Sequence, residues 1–211
     1  MSVAPSVGAS LADWLAYQER THPKAIELGL ERTRAVARRL GLLPARAVTL
    51  TVAGTNGKGS SVTLAAGIYQ AAGYRVGRFT SPHLLRYNER IAIDGVEASD
   101  DELCRAFAAI EQARAEIPLT YFEFGTLAAL WLFQQAAVDV QVLEVGLGGR
   151  LDAVNIVDAD CALITNIGLD HTDWLGPDRD SIGLEKAGIM RAGRPAVYAE
   201  AAAPQRLLAH A

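Results

Sequence analysis

Val48-Thr-Leu-Thr-Val-Ala-Gly-Thr-Asn-Gly-Lys-Gly-Ser-Ser61 joins an apolar, strand-like run to an amphipathic helix through a glycine-rich turn. Gly54, Gly57 and Gly59 allow a close approach of the backbone and let N–H groups point inward, while the helix start adds its positive end. Lys58 supplies a point charge for outer phosphate oxygens. The stretch therefore predicts a loop that binds a polyphosphate.

The loop departs from the strict Walker pattern G-x-x-x-x-G-K-[ST]. Val52 stands where the first glycine belongs, and Gly59 separates Lys58 from Ser60. An ordinary glycine-rich turn between a strand and a helix, with a solvated lysine, is the alternative interpretation of these residues.

Composition and charge set the frame for the rest of the chain. The 211 residues are half hydrophobic and carry a net charge of −4, which predicts a globular protein and does not suggest nucleic-acid binding. Cys104 and Cys161 are isolated, so neither a disulfide framework nor a zinc site is indicated. The N-terminus lacks a secretory pattern, and the longest apolar run, near residues 127–133, is too short to span a bilayer. We therefore expect a cytoplasmic protein.

Apolar strands alternate with helical patterns along the chain, which predicts a parallel sheet covered by helices on both faces. Asp94-Gly95 is a strong hairpin turn signal, and Ser99 with Glu102 forms a capping box. The expected fold class is thus an α/β P-loop sheet with a small β-hairpin insertion. Strands are predicted over 48–52, 75–79, 90–93, 96–98, 138–145, 161–165 and 196–198. Helices are predicted from residue 11 and over 27–40, 58–73, 99–115, 122–136 and 181–191.

Three polar segments follow predicted strands and should meet at the carboxyl edge of the sheet. Ser81, Glu144 and His171 stand in these segments, and together they could ligate a Mg²⁺ that also touches phosphate oxygens. Each has an ordinary alternative. Glu144 could be bonded to a neighbouring turn, His171 packed, and Ser81 simply part of a turn before Pro82.

Seven strings that occur in order along most of the chain form a specific pattern. They are Glu27-Leu-Gly-Leu-Glu-Arg32, Ala53-Gly-Thr-Asn-Gly-Lys-Gly-Ser60, Thr80-Ser-Pro-His-Leu84, Thr120-Tyr-Phe-Glu-Phe124, residues 144–155, residues 169–178 and Glu185-Lys-Ala-Gly-Ile189. Together these strings resemble the Mur ligase superfamily and, within it, the dihydrofolate synthase/folylpolyglutamate synthases. The Leu-Gly-Leu-Glu-Arg and Thr-Tyr-Phe-Glu strings point to this folate branch.

The resemblance implies an ATP-dependent amide ligase that adds L-glutamate to dihydropteroate, to tetrahydrofolate or to both. The substrate carboxylate would take the γ-phosphoryl group, and the amine of glutamate would attack the acyl phosphate. ATP and Mg²⁺ are the implied cofactors. Dihydropteroate, folates and L-glutamate are the implied partners, and we expect a monomer that binds neither nucleic acid nor membrane.

The resemblance also implies roles for individual residues. Lys58, Lys186 and His171 would be catalytic, with Lys186 matching a lysine that is carbamylated by CO₂. Nucleotide phosphates would contact Gly54, Thr55, Asn56, Gly57, Lys58, Gly59 and Ser60. The metal ligands would be Ser81, Glu144, His171 and Lys186. The pterin pocket would be formed by Glu27, Leu28, Gly29, Thr120, Tyr121, Phe122, Glu123, Leu151, Asp152 and Ala153.

Residues 1–211 are interpreted as one ATP-binding domain, without the second domain that supplies glutamate contacts in the family. Isolated from that second domain, the chain is expected to be inactive. Three alternatives remain open at this point: another Mur-type ligase such as one acting on peptidoglycan precursors, a P-loop kinase, and a non-catalytic fragment that binds ATP or folate.

Overall fold

A seven-stranded sheet forms the centre of the computed structural model, which describes residues 4–6, 8–22, 24 and 26–211. The strands are β1 Val48–Ala53, β2 Val76–Phe79, β3 Ile91–Ile93, β4 Val96–Glu97, β5 Val140–Glu144, β6 Cys161–Ile164 and β7 Ala196–Tyr198. Their order in the sheet is β4-β3-β2-β5-β1-β6-β7. The five strands from β2 to β7 in this order run parallel, and β3 and β4 are antiparallel.

Eight α-helices accompany these strands in the described ranges. They are α1 Leu11–Thr21, α2 Glu31–Arg39, α3 Lys58–Ala71, α4 Asp100–Arg114, α5 Tyr121–Gln135, α6 Thr172–Leu175, α7 Arg179–Ala187 and α8 Gln205–His210. Two 3-10 turns cover Tyr87–Arg90 and Ala153–Ile156. None of the helices in these ranges has the length and apolar character that crossing a bilayer requires.

Helices pack on both faces of the sheet, as the sequence predicts. On one face, Val62 and Ala66 of α3 contact a layer that includes Val52 and Val142. The opposite face carries the larger core, in which α1, α2, α4 and α5 take part. All five residues of β5 are buried, which is the pattern expected of a central parallel strand. The predicted α/β fold class is confirmed.

The hairpin prediction is also confirmed. Asp94 and Gly95 both have positive φ, at 51° and 79°, as a two-residue type I′ turn requires. The resulting β3–β4 pair continues the main sheet next to β2.

The predicted helix over residues 27–40 is wrong at its start, because α2 begins only at Glu31. Gly29 has φ +148°, outside the helical region, and its N–H donates to the carbonyl of Leu151 at 3.1 Å. Residues 26–30 therefore form an irregular segment that contacts the loop after β5.

The predicted helix over 181–191 is shifted. Asp178 caps α7 by accepting from the backbone N–H of Ser181 at 2.7 Å, so the helix starts at Arg179. The helix ends at Ala187, where the amide of Asn155 donates to the carbonyl of Gly188 at 3.0 Å. A Cβ on Gly188 would lie 2.4 Å from the Cβ of Arg150, so this end of the helix packs closely on the loop that follows β5.

Candidate active site

The carboxyl ends of β1, β2, β5 and β6 meet at one edge of the sheet, and the loops that leave them form the candidate site. The first of these loops is the glycine-rich stretch between β1 and α3. Gly54 in this loop has φ +148°, and a Cβ there would lie 1.8 Å from Thr165 Oγ1. Gly57 has φ +76° at the N-cap of α3. Glycine is thus required at Gly54 by both space and conformation.

The loop after β6 holds the glycine-rich loop in place. The N–H of Thr55 donates to the carbonyl of Asn166 at 3.0 Å, and the N–H of Asn56 donates to the side-chain oxygen of Asn166 at 2.9 Å. In return, Thr165 donates its hydroxyl to the carbonyl of Asn56 at 2.7 Å. Lys58, Gly59 and Ser60 then form the first turn of α3. Such an arrangement of a constrained loop and a helix start suits anion binding.

Two lysines converge on one carbonyl of this loop. Lys58 donates its ammonium to the carbonyls of Gly54 and Thr55, at 3.0 and 3.2 Å. Lys186, on α7, also donates to the carbonyl of Gly54, at 3.0 Å. Burial, with a smaller effect of the nearby charge of Lys58, lowers the pKa of Lys186 to about 8. Lys186 is therefore a nearly buried amine that loses its proton more readily than an ordinary lysine.

Glu144, at the end of β5, is buried against the start of α3. Its Oε2 accepts a hydrogen bond from the backbone N–H of Ser81 at 3.0 Å. A Cβ on Gly59 would approach this same oxygen to 3.3 Å, so glycine leaves room for the carboxylate. Burial raises the pKa of Glu144, although the Ser81 hydrogen bond and the charge of Lys58 oppose it. A buried negative charge at this position is energetically unfavourable unless a cation binds to the carboxylate.

The structure brings Ser81 and Glu144 into contact, and both Ser81 and His171 line the adjoining cavity. The imidazole of His171 is about half exposed, with its Nε2 3.7 Å from an oxygen of Asp170. In the described part of the chain, no three His, Cys, Asp or Glu side chains come together to ligate a metal. The predicted ligand set, which includes a serine hydroxyl, stays a prediction.

A cavity of about 390 Å³ adjoins the glycine-rich loop and falls within the size range of small-molecule sites. Every residue predicted for the pterin pocket lines it except Tyr121. Tyr121 instead packs edge-on against Tyr87, with ring centres 5.6 Å apart. The cavity is lined by Ile26, Glu27, Leu28, Gly29, Lys58, Ser81, Pro82, Arg90, Thr120, Phe122, Glu123, Gly146, Leu147, Leu151, Asp152, Ala153 and His171.

Two acids of the cavity wall are joined by Arg32. Arg32 donates to Glu27 at 2.9 Å and to Glu123 at 3.1 Å, and Thr33 donates its hydroxyl to Glu123 at 2.9 Å. Glu123 also accepts the backbone N–H of Thr120 at 2.7 Å, which completes a capping box at the start of α5. The side chain of Arg32 thus connects two carboxylates of the cavity wall and is not part of a freely solvated helix surface.

Asp152 has the most perturbed carboxyl group of the cavity. Burial raises its pKa to about 7, although the backbone N–H groups of Leu147 and Val154 donate to it at 2.8 and 3.0 Å. Near neutral pH this carboxyl group can exist in both protonation states. It can therefore act as either a donor or an acceptor toward a bound heterocycle.

Arg90 is a charged lining residue that the sequence analysis does not assign to the site. Sequence analysis assigns it only to the start of a strand, whereas in the structure it ends the 3-10 turn and faces the cavity. Its environment depends on contacts from α5 and from the loop after β2, for which the sequence carries no local signal.

The family model of the Mur ligase middle domain matches residues 52–199 of the chain. Among curated relatives, the dihydrofolate synthase/folylpolyglutamate synthase of Escherichia coli K12 is 57% identical over 203 residues, covering 96% of this chain and 48% of the relative. The enzyme of the same name from Haemophilus influenzae is 52% identical over 198 residues, covering 94% of this chain and 45% of the relative. The chain thus spans about half the length of these relatives.

Solved structures agree with these matches. Escherichia coli FolC in complex with DHPP and ADP superimposes with a TM-score of 0.96 and 56% identity, covering 98% of this chain and 50% of that one. The Yersinia pestis bifunctional folylpolyglutamate synthase/dihydrofolate synthase complexed with AMPPNP and Mn ion superimposes with a TM-score of 0.91 and 59% identity. This match covers 99% of this chain and 51% of that one. The resemblance drawn from the seven strings is therefore confirmed. The chain belongs to the Mur ligase family, because the middle domain of that family matches the residues that contain the glycine-rich loop, both lysines and the sheet edge.

Proposed function

We propose that the chain is the ATP- and folate-binding part of a ligase that joins L-glutamate to dihydropteroate, to tetrahydrofolate or to both. The observation that carries this proposal is that Lys58 belongs to the glycine-rich loop and also lines the cavity. A carboxylic acid bound in the cavity would thus lie beside a phosphate bound by the loop. This proximity is the main requirement for forming an acyl phosphate.

Relatives support this assignment through what was bound to them. The Escherichia coli FolC structure holds DHPP and ADP. Another bifunctional folylpolyglutamate synthase/dihydrofolate synthase, 58% identical over 99% of this chain, was solved with Mn, AMPPNP and L-glutamate bound. By analogy with these proteins, the proposed ligands of this chain are ATP, a divalent cation such as Mg²⁺, folate substrates and glutamate.

The residues of the loop fit a nucleotide. At Gly54 and Gly59 a Cβ would collide with Thr165 or crowd Glu144, so glycine lets the loop pack closely against both residues. Lys58 lies at the start of α3, where its charge adds to the positive end of the helix. Bound ATP would supply the phosphoryl group, and the cation would offset the charge that the phosphates bring.

In this proposal Glu144, Ser81 and His171 hold the cation. Glu144 provides a hard, negatively charged oxygen, and the Ser81 N–H fixes the orientation of that carboxylate at 3.0 Å. His171 is free to turn toward the site because its side chain is about half exposed. Lys58 would neutralise negative charge on the β- and γ-phosphate oxygens from one side, and the cation would neutralise it from the other side.

Lys186 is proposed to carry a carbamate formed with CO₂. Only the neutral amine can attack CO₂, and the reaction releases a proton and leaves one negative charge on the side chain. A pKa of about 8 leaves roughly a tenth of the lysine neutral at pH 7, far more than an ordinary lysine would provide. The anion would then help to hold or orient a second cation.

The cavity is proposed to bind the pterin part of the substrate. Phe122 offers a flat apolar surface, while Asp152 can donate or accept a hydrogen bond. Glu27, Leu28 and Gly29 contribute the opposite wall through the irregular segment before α2. Glu123 is already bonded to Arg32, Thr33 and Thr120, so it would act mainly by shaping this wall.

The glutamate site is proposed to need the part of the relatives that this chain does not match, so residues 1–211 would form one ATP-binding domain that does not complete the reaction alone. A monomeric state, a cytoplasmic location and the lack of nucleic-acid or membrane partners rest on the sequence only. They stay part of this proposal.

Ligand selectivity tests the proposal. In calorimetry with Mg-ATP present, the chain should bind dihydropteroate but not a uridine-diphosphate-linked muramoyl peptide. Phe122→Ala should weaken dihydropteroate binding by about 3- to 10-fold, through the lost aromatic contact. Tyr74→Ala serves as the control, because Tyr74 is an exposed aromatic residue that does not line the cavity. Binding of the muramoyl peptide in place of dihydropteroate would contradict a folate substrate.

A further inference from the structure

Arg90 is a nearly buried cation on the cavity wall. Its side chain lies over the rings of Tyr87 and Tyr121, with centroid distances of 5.3 and 5.5 Å, and only 9% of the residue is exposed. Its Nε donates to His83 Nδ1 at 2.8 Å. None of the ion pairs formed within the described ranges includes Arg90. The guanidinium is therefore held in position by rings and an imidazole, and within the described ranges no carboxylate forms an ion pair with it.

Arg114 shows how this protein otherwise buries an arginine. Arg114 is 8% exposed and also lies over aromatic rings. Unlike Arg90, it forms two hydrogen bonds of 2.6 Å to the carboxylate of Glu111 and donates to the carbonyl of Ile117 at 3.0 Å. A buried charge without such a partner is unfavourable. Within the described ranges Arg90 therefore lacks the carboxylate partner that Arg114 has.

Two acids stand close to Arg90, Glu89 as its neighbour in the sequence and Glu144 as a carboxylate whose pKa burial raises and the charge of Arg90 helps to lower, and both have hydrogen-bond partners of their own. Glu89 accepts the backbone N–H groups of Leu84, Leu85 and Arg86 at 2.7 to 2.8 Å, and these bonds lower its pKa to about 2. Glu144 accepts the N–H of Ser81. Neither carboxylate is hydrogen-bonded to Arg90 in the described structure.

The lining residues that the structure describes include two permanent cations, Lys58 and Arg90. The proposed reaction brings two anions together, a triphosphate and a carboxylate, which repel each other unless both are neutralised. Lys58 belongs to the glycine-rich loop and is suited to the phosphates. That leaves Arg90 for the carboxylate.

We propose that Arg90 binds the reacting carboxylate of the substrate through the terminal nitrogens of its guanidinium. This inference rests on the proposed function, because it takes the substrate to be an aromatic carboxylic acid. The planar guanidinium matches a carboxylate in shape and hydrogen-bond geometry. Since His83 and the two tyrosine rings already fix the side chain, little conformational freedom is lost when the acid binds. The carboxylate would thus be held beside the loop that binds the phosphoryl donor.

A pair of ligands tests this role with the 211-residue chain. Dihydropteroate carries the carboxylate, and its carboxamide analogue has the same shape without the charge. We expect wild-type protein to bind the acid about 10- to 100-fold more tightly than the amide. Arg90→Gln should remove this preference by weakening acid binding alone. A purely structural role for Arg90 would affect both ligands equally.

Two further variants keep the test decisive. Arg86→Gln removes an exposed arginine of the same loop, whose partner is Glu97 at 2.9 Å, and should leave both affinities unchanged. If Arg90→Gln does not fold, Arg90→Lys keeps the charge but loses the planar fork, and it should lower the acid preference only in part. Equal losses for acid and amide, or no loss in either, would overturn the assignment while the proposed function stands. Failure of wild-type protein to bind either ligand would overturn the proposed function, and this inference with it.

Discussion

Glu144→Gln separates a functional carboxylate from a structural one. The glutamine keeps the shape of the side chain, and its carbonyl oxygen can still accept the Ser81 N–H. What it removes is the negative charge that is proposed to hold the cation. We expect the affinity for Mg-ATP to fall by roughly 10- to 150-fold, which corresponds to about 1.5 to 3 kcal/mol for a hydrogen bond or contact to a charged group.

The same substitution should not destabilise the protein without ligand. Burial raises the pKa of Glu144 in the folded state, so the folded protein binds this proton more tightly than the unfolded chain does. The free energy of unfolding therefore falls as the pH rises from the unfolded pKa through the folded one, and at neutral pH the charge is a cost. Glutamine removes that cost. Thermal unfolding without ligand should give a melting temperature equal to or above that of wild type, with a weaker decline in stability as the pH rises.

Glu123→Gln is the matched control, because Glu123 is equally buried but is bonded to Arg32, Thr33 and Thr120. Losing its charge leaves Arg32 with only one carboxylate. We expect the free energy of unfolding to fall by about 1 to 3 kcal/mol, while Mg-ATP affinity of the folded protein is kept. Calorimetry and thermal melts on both variants decide the matter. A Glu144→Gln protein that melts well below wild type yet binds Mg-ATP normally would refute the reasoning.

Three further substitutions, with Gly67→Ala as a control, probe the loop and the two lysines that donate to its carbonyls. Lys58→Ala should weaken Mg-ATP binding by roughly 10- to 150-fold in calorimetry, and an unchanged affinity would exclude a phosphate contact. In wild type, the free energy of unfolding should rise between about pH 8 and pH 10.5, because the pKa of Lys186 is about 8 in the folded protein and the unfolded chain keeps the proton up to a higher pH. Lys186→Met should abolish this rise. A rise that survives the substitution would contradict the depressed pKa. Gly54→Ala should prevent folding or abolish nucleotide binding because its Cβ would meet Thr165, whereas Gly67→Ala on the exposed side of α3 should raise stability by about 0.5 to 1 kcal/mol in denaturant unfolding. Equal behaviour of the two alanine variants would show that the loop tolerates side chains at Gly54.

Features set by local sequence were predicted well. The apolar run of β5, the turn at Asp94-Gly95 and the start of α3 at Lys58 all lie where the sequence placed them. In each case a short-range signal suffices, since strand hydrophobicity, turn conformation and helix initiation depend on neighbouring residues. The meeting of Ser81 and Glu144 could also be predicted, because the ends of parallel strands share one edge of a sheet.

The remaining features depend on contacts between distant residues. The start of α2 is displaced because Gly29 pairs with Leu151, far along the chain. Arg32 connects the carboxylate of Glu27, five residues away, to that of Glu123, 91 residues away, and nothing in its own segment indicates this second contact. The capping role of Glu123 is predictable from the Thr-x-x-Glu pattern at residue 120, because the same kind of local signal marks the helix after Ser99.

The most direct test of a ligase assignment is product analysis of a fusion with the part of the relatives that this chain does not match. The chain alone should release no phosphate that depends on dihydropteroate and glutamate. Fused to the remaining half of the Escherichia coli relative, it should release phosphate only when glutamate is present, and the product should be the glutamate amide. A fusion protein that accumulates phosphorylated substrate without needing glutamate would identify a kinase and contradict the account.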